Sequence, residues 1–261
     1  MSDSRDSADV MIVGGGSAGA VLAARLSEAS SRTVLLVEAG PAYGLDKIPE
    51  TVLGAEHVAD PQHDWGYTSR GNYQQQKVPA PRGKVLGGSS SVNASVAIRP
   101  RPSDLAKWAS HGADGWSYEE VLPAFRDLEN TPSGDDHFHG RNGPLPIRQR
   151  SHEELTPGLR GFVEGAVSLG YKHADDFNGS DQEGAGGSPV NVVDEIRQST
   201  AMPISPPTSA GGRISSSRAT STSTVFCSTA QRPLEYGPMT GRSTTRTRSS
   251  SAGELTAVRR S

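Results

Sequence analysis

Six residues near the N-terminus have the spacing of a loop that binds phosphates. Gly14-Gly-Gly16-Ser17-Ala18-Gly19 carries glycines at its first, third and sixth positions. In such a loop the first glycine permits a tight turn, the second lets the backbone approach a pyrophosphate, and the third lets a helix pack closely on a sheet. The free N–H groups at the start of that helix then face the phosphates. We call residues 14–19 the first glycine loop.

The segments on either side of the first glycine loop agree with this interpretation. An apolar run of strand length, Asp9-Val-Met-Ile-Val13, precedes the loop, and residues 20–26 favour a helix. A second strand, Thr33-Val-Leu-Leu-Val-Glu38, completes a strand–helix–strand unit of about 30 residues. Glu38 ends this strand, where an acid accepts hydrogen bonds from both ribose hydroxyls of a dinucleotide and disfavours NADP. The pattern does not separate FAD from NAD, and a glycine-rich turn without a ligand is the alternative.

A second block rich in glycine and serine spans residues 82–93, Arg82-Gly-Lys-Val-Leu-Gly-Gly-Ser-Ser-Ser-Val-Asn93. Gly87 and Gly88 allow the backbone to pass close to a bulky planar ligand. The three serines that follow supply short hydroxyl and N–H donors, and Asn93 offers an amide to the polar edge of an isoalloxazine. On the residues alone, the alternative is a polar surface loop. We call residues 87–91 the second glycine turn.

This block resembles the first signature of the glucose-methanol-choline (GMC) oxidoreductases, a family of FAD-dependent alcohol oxidases and dehydrogenases. The similarity continues through Ala94-Ser-Val-Ala-Ile-Arg-Pro100 and covers roughly residues 8–202. Further similar segments are Val34-Leu-Leu-Val-Glu-Ala-Gly40, Ser103-Asp-Leu-Ala-Lys-Trp108, Gly115-Trp-Ser-Tyr118, Gly143-Pro-Leu145 and Arg197-Gln-Ser-Thr-Ala201. One departure is Ala94, where many members have glycine. A methyl group there would narrow a pocket beside the flavin.

The resemblance implies that the cofactor is FAD and that Val85 and residues 93–96 line the flavin. Together with the glycine motifs, it gives a set of predicted cofactor-binding residues: Gly14, Gly16, Ser17, Ala18, Gly19, Glu38, Ala39, Arg82, Val85, Gly87, Gly88, Ser89, Ser90, Asn93, Ala94, Ser95 and Val96. An NAD-dependent dehydrogenase is a weaker alternative, because it does not explain residues 82–93.

The resemblance also implies a reaction, the oxidation of a small-molecule alcohol at its CH–OH group with hydride passing to the flavin. The family's catalytic histidine, paired with a second histidine or an asparagine, lies in a C-terminal region. His173 is the last histidine of this chain, so no catalytic residue is assigned. Two alternatives stay open: a GMC oxidoreductase that is active only if the true gene is longer, and a non-catalytic FAD-binding fragment or pseudogene product.

The motifs predict the α/β fold class, with a Rossmann-like FAD/NAD(P)-binding domain built on a parallel sheet, an incomplete substrate domain and a disordered C-terminal tail. Residues 1–202 are assigned to the FAD-binding region with part of the substrate domain. Within them, Ser117 and Glu120 form a capping box that predicts a helix start. Thr156-Pro157 predicts a second helix start, and Gly170 the corresponding end.

The composition changes after Met202. Residues 1–202 carry 18 Lys and Arg against 27 Asp and Glu, whereas residues 203–261 carry 8 Arg, no Lys and 2 Glu. Of these last 59 residues 31 are Ser, Thr or Arg, and only 7 are Leu, Ile, Val or Phe, too few to build a core. Disorder is therefore predicted for residues 203–261. Such a tail is a nucleic-acid-binding arm, a plain flexible terminus or an accident of translation.

The genetic code favours the accident of translation. The family continues past Met202 with something like Ala-Tyr-Leu-Thr-Pro, where this chain has Pro203-Ile-Ser-Pro-Pro207. ATG GCC TAT CTC ACC CCC encodes the family's peptide, and loss of one G gives the sequence of this chain. In the same shifted frame, the codons of residues 254–261 permit Gly-Ala-Tyr-Gly-Ser-Pro-Ala-Ile, which is similar to the family's second signature. We therefore expect a single-base deletion, real or a sequencing error, near codon 203 and a truncated, inactive product.

Whole-chain figures exclude several classes of protein. The net charge of -3 argues against a nucleic-acid partner, and the single cysteine, Cys227, can form no internal disulfide. Apolar runs are far shorter than the ~20 residues of a membrane span. The N-terminus is polar and has no apolar signal region, so a cytoplasmic location is expected. The oligomeric state stays open.

Two acidic and histidine-containing segments are not assigned to sites. His137 and His139 follow two aspartates, but no third ligand lies at a recognised spacing, so surface polar residues are expected and no metal. Asp175 and Asp176 are expected to be solvated carboxylates.

Overall fold

The structure is a computed structural model that describes residues 8–29, 31–44 and 46–202, together with the backbone alone of residues 215–216, 224–228 and 249–250. The chain divides into two compact units. The first comprises Met1–Ala94 with Ser199–Ser261, and the second comprises Ser95–Gln198.

The first unit is organised by a strand–helix–strand element. Strand β1 (Val10–Val13) leads into helix α1 (Ser17–Leu26), and strand β2 (Val34–Glu38) then pairs with β1 in parallel, with Ile12 opposite Leu36. These bounds confirm the predicted elements, and the parallel pairing confirms a Rossmann-like fold. The unit's core forms where one face of the helix meets the sheet, from Ile12, Ala23, Val34 and Leu36.

The rest of the first unit is mostly loop. Helix α2 spans Glu50–Leu53, and two 3₁₀ turns span Pro61–His63 and Gly88–Ser91. The second of these turns contains most of the second glycine turn. Backbone hydrogen bonds hold the segment before it, because Leu86 N donates to Pro41 O at 3.0 Å.

The second unit contains three longer helices, α3 (Pro102–Ser110), α4 (Tyr118–Leu128) and α5 (Pro157–Ser168). The capping box at the start of α4 is confirmed, because Ser117 Oγ accepts from Glu120 N at 3.3 Å and Ser117 N donates to Glu120 Oε2 at 3.1 Å. Helix α5 begins at the predicted proline. Gly170, with φ +92°, follows its end, as the sequence predicts.

Short strand pairs connect these helices. The parallel pair is β3 (Glu129–Asn130) with β4 (Leu145–Pro146). The antiparallel pairs are β5 (Arg148–Gln149) with β6 (Pro189–Val190), and β7 (Val192–Val193) with β8 (Ile196–Arg197). A small apolar cluster of this unit is formed by Leu155, Val163 and Ala185.

The prediction of disorder over residues 203–261 falls largely outside the described residues. Three short strands in this tail have a described backbone, β9 (Ser215–Ser216), β10 (Thr224–Ser228) and β11 (Ser249–Ser250). Strand β11 lies parallel to β1 and β10 lies antiparallel to β2, which gives the order β11-β1-β2-β10-β9. The sequence does not predict these strands, because an open sheet edge pairs through backbone groups and needs no side-chain pattern.

Among the described residues, the helices are all too short or too polar to cross a membrane.

Candidate functional site: two glycine segments in contact

The first glycine loop makes the sharp turn that its sequence predicts. Gly14 has φ +95°, in the left-handed region that favours glycine, and its N–H donates to Val37 O at 2.7 Å. Gly19 lies where α1 crosses this turn. A Cβ on Gly19 would overlap the carbonyl oxygen of Gly14 and lie 3.4 Å from Ile12 Cγ2. These two glycines are therefore required by the packing of the chain itself.

Gly16 is different, because nothing in the described part of the chain requires a glycine there. Its φ of -69° and ψ of -170° suit any residue, and a Cβ would meet no atom closer than Gly88 Cα at 4.0 Å. The surface in front of Gly16 is thus open to a close approach from outside the chain. This is the geometry that a pyrophosphate needs.

The N-terminus of α1 presents polar groups to the surface in front of Gly16. The first N–H groups of a helix have no partner inside the helix, and among the described residues no side chain caps this one. Ser17 and Ala18, the first two helical residues, are exposed. The start of α1 therefore offers N–H donors and the positive end of the helix dipole to an anion.

Glu38 lies at the end of β2, and its carboxylate is bound to the loop. Oε2 accepts a hydrogen bond from Gly15 N at 2.6 Å, and Oε1 accepts one from Gly40 N at 2.8 Å. The side chain is buried, with 5% of its surface exposed. A carboxylate has about four lone-pair positions, so acceptor capacity remains beyond these two bonds. Ala39, partly buried, is the next residue in the chain.

The second glycine turn lies directly against the first glycine loop. Gly87 adopts φ +88° and donates its N–H to Gly15 O at 2.7 Å. A Cβ on Gly88 would lie only 2.7 Å from Gly16 Cα. The two glycine segments, far apart in sequence, thus form one continuous backbone surface around Gly16.

The serine hydroxyls of the second glycine turn contact backbone groups that are close in sequence. Ser89 Oγ accepts from Gly83 N at 3.1 Å, Ser90 Oγ donates to Gly87 O at 2.6 Å, and Ser91 Oγ donates to Leu86 O at 2.9 Å. The sequence suggested that these hydroxyls are donors for a ligand. In the structure all three hydroxyls contact nearby backbone groups, because a tight turn leaves polar backbone atoms that serines reach easily, and their role toward a ligand stays a prediction.

Val85 and Arg82, two further predicted site residues, differ in exposure. Val85 exposes 1% of its surface, and its predicted place beside the flavin stays a prediction. Gly40 packs tightly on the backbone of residues 84–85, where a Cβ would overlap Lys84 O. Arg82 is exposed and donates to the carbonyl of Pro81 at 2.8 Å.

The segment 93–96, predicted to line the flavin, divides between the two units. Asn93 and Ala94 are exposed and end the first unit. Ser95 and Val96 begin the second unit, where Ser95 is fully buried with φ +56° and Val96 is half exposed.

Two residues beside the second glycine turn were not among the predicted site residues. Thr200 N donates to Ser90 Oγ at 3.1 Å, and the Thr200 and Ser90 hydroxyl oxygens lie 3.0 Å apart. A Cβ on Gly87 would come within 3.0 Å of Ala201 Cβ. The sequence held a signal for them, since Arg197-Gln-Ser-Thr-Ala201 is one of the segments that resemble the family.

A series of buried hydrogen bonds stabilises the segment that leads into the second glycine turn. Asp60 Oδ2 lies 2.6 Å from His63 Nδ1, and His63 Nε2 lies 2.6 Å from the Tyr43 hydroxyl. Burial alone would raise the pKa of Asp60, but hydrogen bonds from Thr51 and His63, among others, lower it to about 2. The His63 carbonyl accepts from Lys84 N at 2.7 Å, so these hydrogen bonds fix the segment that leads into the turn.

The second unit contains a buried ionic cluster that the sequence did not predict. Glu129 Oε1 lies 2.7 Å from Arg99 Nη2 and 2.9 Å from His139 Nδ1, and His139 Nε2 lies 2.7 Å from Asp176 Oδ2. The expectation that His139 is a surface residue is wrong, since it exposes 4% of its surface. The expectation that Asp176 is a solvated carboxylate is also wrong, because it is partly buried and paired. Both residues are wholly or partly buried because they contact residues that are distant in sequence.

The cluster holds His139 in its charged form. Hydrogen bonds to Asp176 and then to Glu129 raise the pKa of His139 to about 9, against the opposite effect of burial. The hydrogen bond from His139, with others, lowers the pKa of Asp176 to about 2, although burial works to raise it. With Arg99 and a protonated His139 facing Glu129 and Asp176, the charges balance. The cluster is thus an internal ion-pair network of the second unit.

The stability of the second unit should therefore decrease at alkaline pH. A raised histidine pKa stabilises the fold fully below the unfolded value near 6.5, and this contribution is lost as the pH rises through about 9. We expect a loss on the order of 3 kcal/mol between pH 6.5 and pH 10. Urea unfolding followed by tryptophan fluorescence measures it. His139→Gln should lack this part of the pH dependence; parallel curves for the two proteins would contradict the prediction.

The geometry of the first unit defines the class of protein as a dinucleotide-binding protein with a Rossmann-like fold. The family model for GMC oxidoreductases matches residues 8–232, and the chain belongs to this family, whose cofactor is FAD. The match continues past residue 202, where the resemblance was expected to end.

Named relatives agree with the family. The chain is 39% identical over 181 residues to an oxygen-dependent choline dehydrogenase of Rhizobium etli, covering 69% of this chain and 33% of that protein. It is 38% identical over 198 residues to the enzyme of the same name from Vibrio vulnificus, covering 74% and 35%. The crystal structure of pyridoxine 4-oxidase from Mesorbium loti superposes with a TM-score of 0.68 at 35% identity, covering 75% and 38%. The chain therefore spans about a third of the length of these curated relatives.

Proposed function

We propose that residues 8–202 form the FAD-binding part of an enzyme that oxidises a small-molecule alcohol at its CH–OH group. The observation that carries the proposal is the open surface at Gly16, where packing does not require a glycine and where two glycine segments meet. The uncapped start of α1 would hold the pyrophosphate through N–H donors. Glu38 would accept from the ribose hydroxyls with its remaining lone pairs.

FAD, when bound, accepts a hydride from the substrate carbon. The chain's own contribution would be to hold the adenosine and pyrophosphate end of the cofactor through Gly16, the start of α1 and Glu38. The relatives' names support a substrate class. Choline and pyridoxine both carry a CH₂OH group, so we propose a primary alcohol as the substrate.

The proposal predicts that the chain prefers FAD to FMN. FMN lacks the adenosine monophosphate half, so it cannot use the first glycine loop and Glu38 together. We expect FAD to bind at least tenfold more tightly, since hydrogen bonds to a charged group contribute about 1.5–3 kcal/mol each. Quenching of flavin fluorescence on titration with the purified chain measures both constants. Equal affinities, or no binding of FAD, would contradict the proposed site.

A second candidate is a non-catalytic FAD-binding fragment. Of the seven histidines, His63 and His139 are buried in hydrogen-bonded networks, and the sequence assigns a catalytic role to none of the seven. Anaerobic addition of choline or pyridoxine to the FAD-loaded chain separates the two candidates. Bleaching of the flavin band supports an active enzyme, whereas an unchanged band in a chain that retains FAD supports the fragment.

We also propose that residues 203–261 are translated out of frame. One shifted reading frame gives sequences similar to the family at both ends of residues 203–261. In that frame position 227 encodes leucine, whichever codons Phe226 and Cys227 use, and position 236 encodes valine or isoleucine. The codons of residues 226–230 then permit Val-Leu-Phe-Asp-Gly, an apolar run followed by a dipeptide typical of hairpin turns. The pairing of β10 with β2 does not argue for the present side chains, because it uses backbone groups.

Sequencing of the genomic DNA across codon 203 tests this proposal. The expected result is one additional base that restores the family's peptide after Met202. A frame that encodes Pro203 and the following residues as they stand would contradict it. The family match to residue 232 makes this test necessary, since the match runs through residues that the proposal places out of frame.

A further inference from the structure

Thr200 lies beside the second glycine turn although it follows it by 110 positions. Its N–H donates to Ser90 Oγ at 3.1 Å, and its own hydroxyl oxygen lies 3.0 Å from the same atom. Both groups are partly buried. Thr200 therefore contacts the second glycine turn through its backbone nitrogen and its hydroxyl oxygen, both of which lie within hydrogen-bonding distance of Ser90 Oγ.

The direction of these hydrogen bonds follows from the chemistry of a hydroxyl group. Ser90 has one proton, which it donates to Gly87 O at 2.6 Å. Its two lone pairs then accept, one from Thr200 N and one from the Thr200 hydroxyl, which must be the donor of that pair. Ser90 Oγ thus uses its whole hydrogen-bonding capacity inside the protein, and none remains for a ligand.

This arrangement continues to the first glycine loop. Ser90 fixes the Gly87 carbonyl, and Gly87 N in turn donates to Gly15 O at 2.7 Å. Gly88, the next residue, lies against Gly16, where a Cβ on Gly88 would be 2.7 Å from Gly16 Cα. A hydrogen-bonded path therefore runs from Thr200 through Ser90 and Gly87 to the surface around Gly16.

We propose that Thr200 is a positioning residue for FAD binding, acting through Ser90 to hold the second glycine turn against the first glycine loop. The inference rests on the proposed FAD site. Thr200 needs no contact with the cofactor for this role. It keeps Gly87 and Gly88 in the left-handed conformations, φ +88° and +54°, that place their backbone beside Gly16.

The test compares Thr200→Val with Thr200→Ser in the full chain. Valine has the shape of threonine without the hydroxyl, so it removes one of three bonds to Ser90. We expect the Kd for FAD to rise about fivefold, which corresponds to one hydrogen bond of about 1 kcal/mol. Serine restores the hydroxyl, and its Kd should stay within about twofold of the parent. Thr156→Val, at an exposed helix start without a side-chain cap bond, is the matched control.

A double-mutant cycle with Ser90→Ala separates positioning from a general loss of stability. Because both residues act along one path, Thr200→Val should weaken FAD binding no further once Ser90 is alanine. Additive losses, or an unchanged Kd in Thr200→Val while the parent binds FAD, would overturn the inference alone. Failure of the parent to bind FAD would contradict the proposed site itself. The thermal midpoint of each apo variant shows whether the fold is intact.

Discussion

Replacement of Gly16 by valine should abolish FAD retention while leaving the fold of the first unit intact. Among the described residues, the nearest atom to a Cβ at residue 16 is Gly88 Cα at 4.0 Å, an ordinary contact distance, and the backbone angles of Gly16 suit a valine. The apo protein therefore has room for a Cβ at this position, and we expect the valine methyl groups to occupy the surface that a pyrophosphate must reach. Loss of one or two charge-assisted hydrogen bonds raises the Kd on the order of 100-fold or more. Flavin fluorescence titration measures the Kd, and circular dichroism measures the fold.

Two other glycines provide controls for this variant. Gly161→Val places its side chain in open space on α5 and should change neither folding nor FAD affinity. Gly19→Ala is the opposite case, because its Cβ would overlap the Gly14 carbonyl, so it should destabilise the apo fold itself. An unchanged flavin content in Gly16→Val would argue against the assignment of the site. Unfolding of Gly16→Val would show that the position serves packing.

The first glycine loop, the helix that follows it and the capping box of α4 could be predicted because each depends on residues near one another in sequence. A glycine at a turn, a serine three positions before a glutamate and an apolar strand are local patterns. Parallel pairing of β1 with β2 also follows from them, since a helix between two strands favours that connection.

The contacts that complete the site could not be predicted in the same way. Ser90 and Thr200 are 110 positions apart, and no local pattern shows that a serine hydroxyl in a polar block binds its own turn. Glu38 ends its strand as expected, but its bond to Gly15 depends on how the loop folds back over it. Family resemblance marked Thr200 as part of a similar segment without giving it a role.

His139 illustrates the same limit in the second unit. Its partners Glu129 and Asp176 lie 10 and 37 positions away. The local sequence therefore shows only a histidine close to aspartates on a loop. The three-dimensional contacts remove it from water and give it a charge. Polar composition alone therefore misplaces this residue, and the same holds for Asp176.

Replacement of Glu129 by glutamine should strongly destabilise the second unit. Glu129 Oε1 faces Arg99 Nη2 at 2.7 Å and His139 Nδ1 at 2.9 Å, and the side chain exposes 1% of its surface. Glutamine keeps the shape but leaves two buried cations facing one carboxylate, that of Asp176. Breaking a buried pair in this way costs about 3–5 kcal/mol. Urea unfolding at pH 7, followed by tryptophan fluorescence, measures the change in the free energy of unfolding.

A second substitution distinguishes charge from packing as the cause. Arg99→Met combined with Glu129→Gln removes one charge of each sign and leaves His139 paired with Asp176, so the double variant should be more stable than Glu129→Gln alone. Asp181→Asn breaks the exposed pair with Lys172, whose side chains are 51% and 72% exposed, and should cost less than about 1 kcal/mol. A Glu129→Gln variant as stable as Asp181→Asn would contradict the buried network. If the double variant is less stable than Glu129→Gln, the loss of stability is due to packing, because restoring the charge balance has then failed to restore stability.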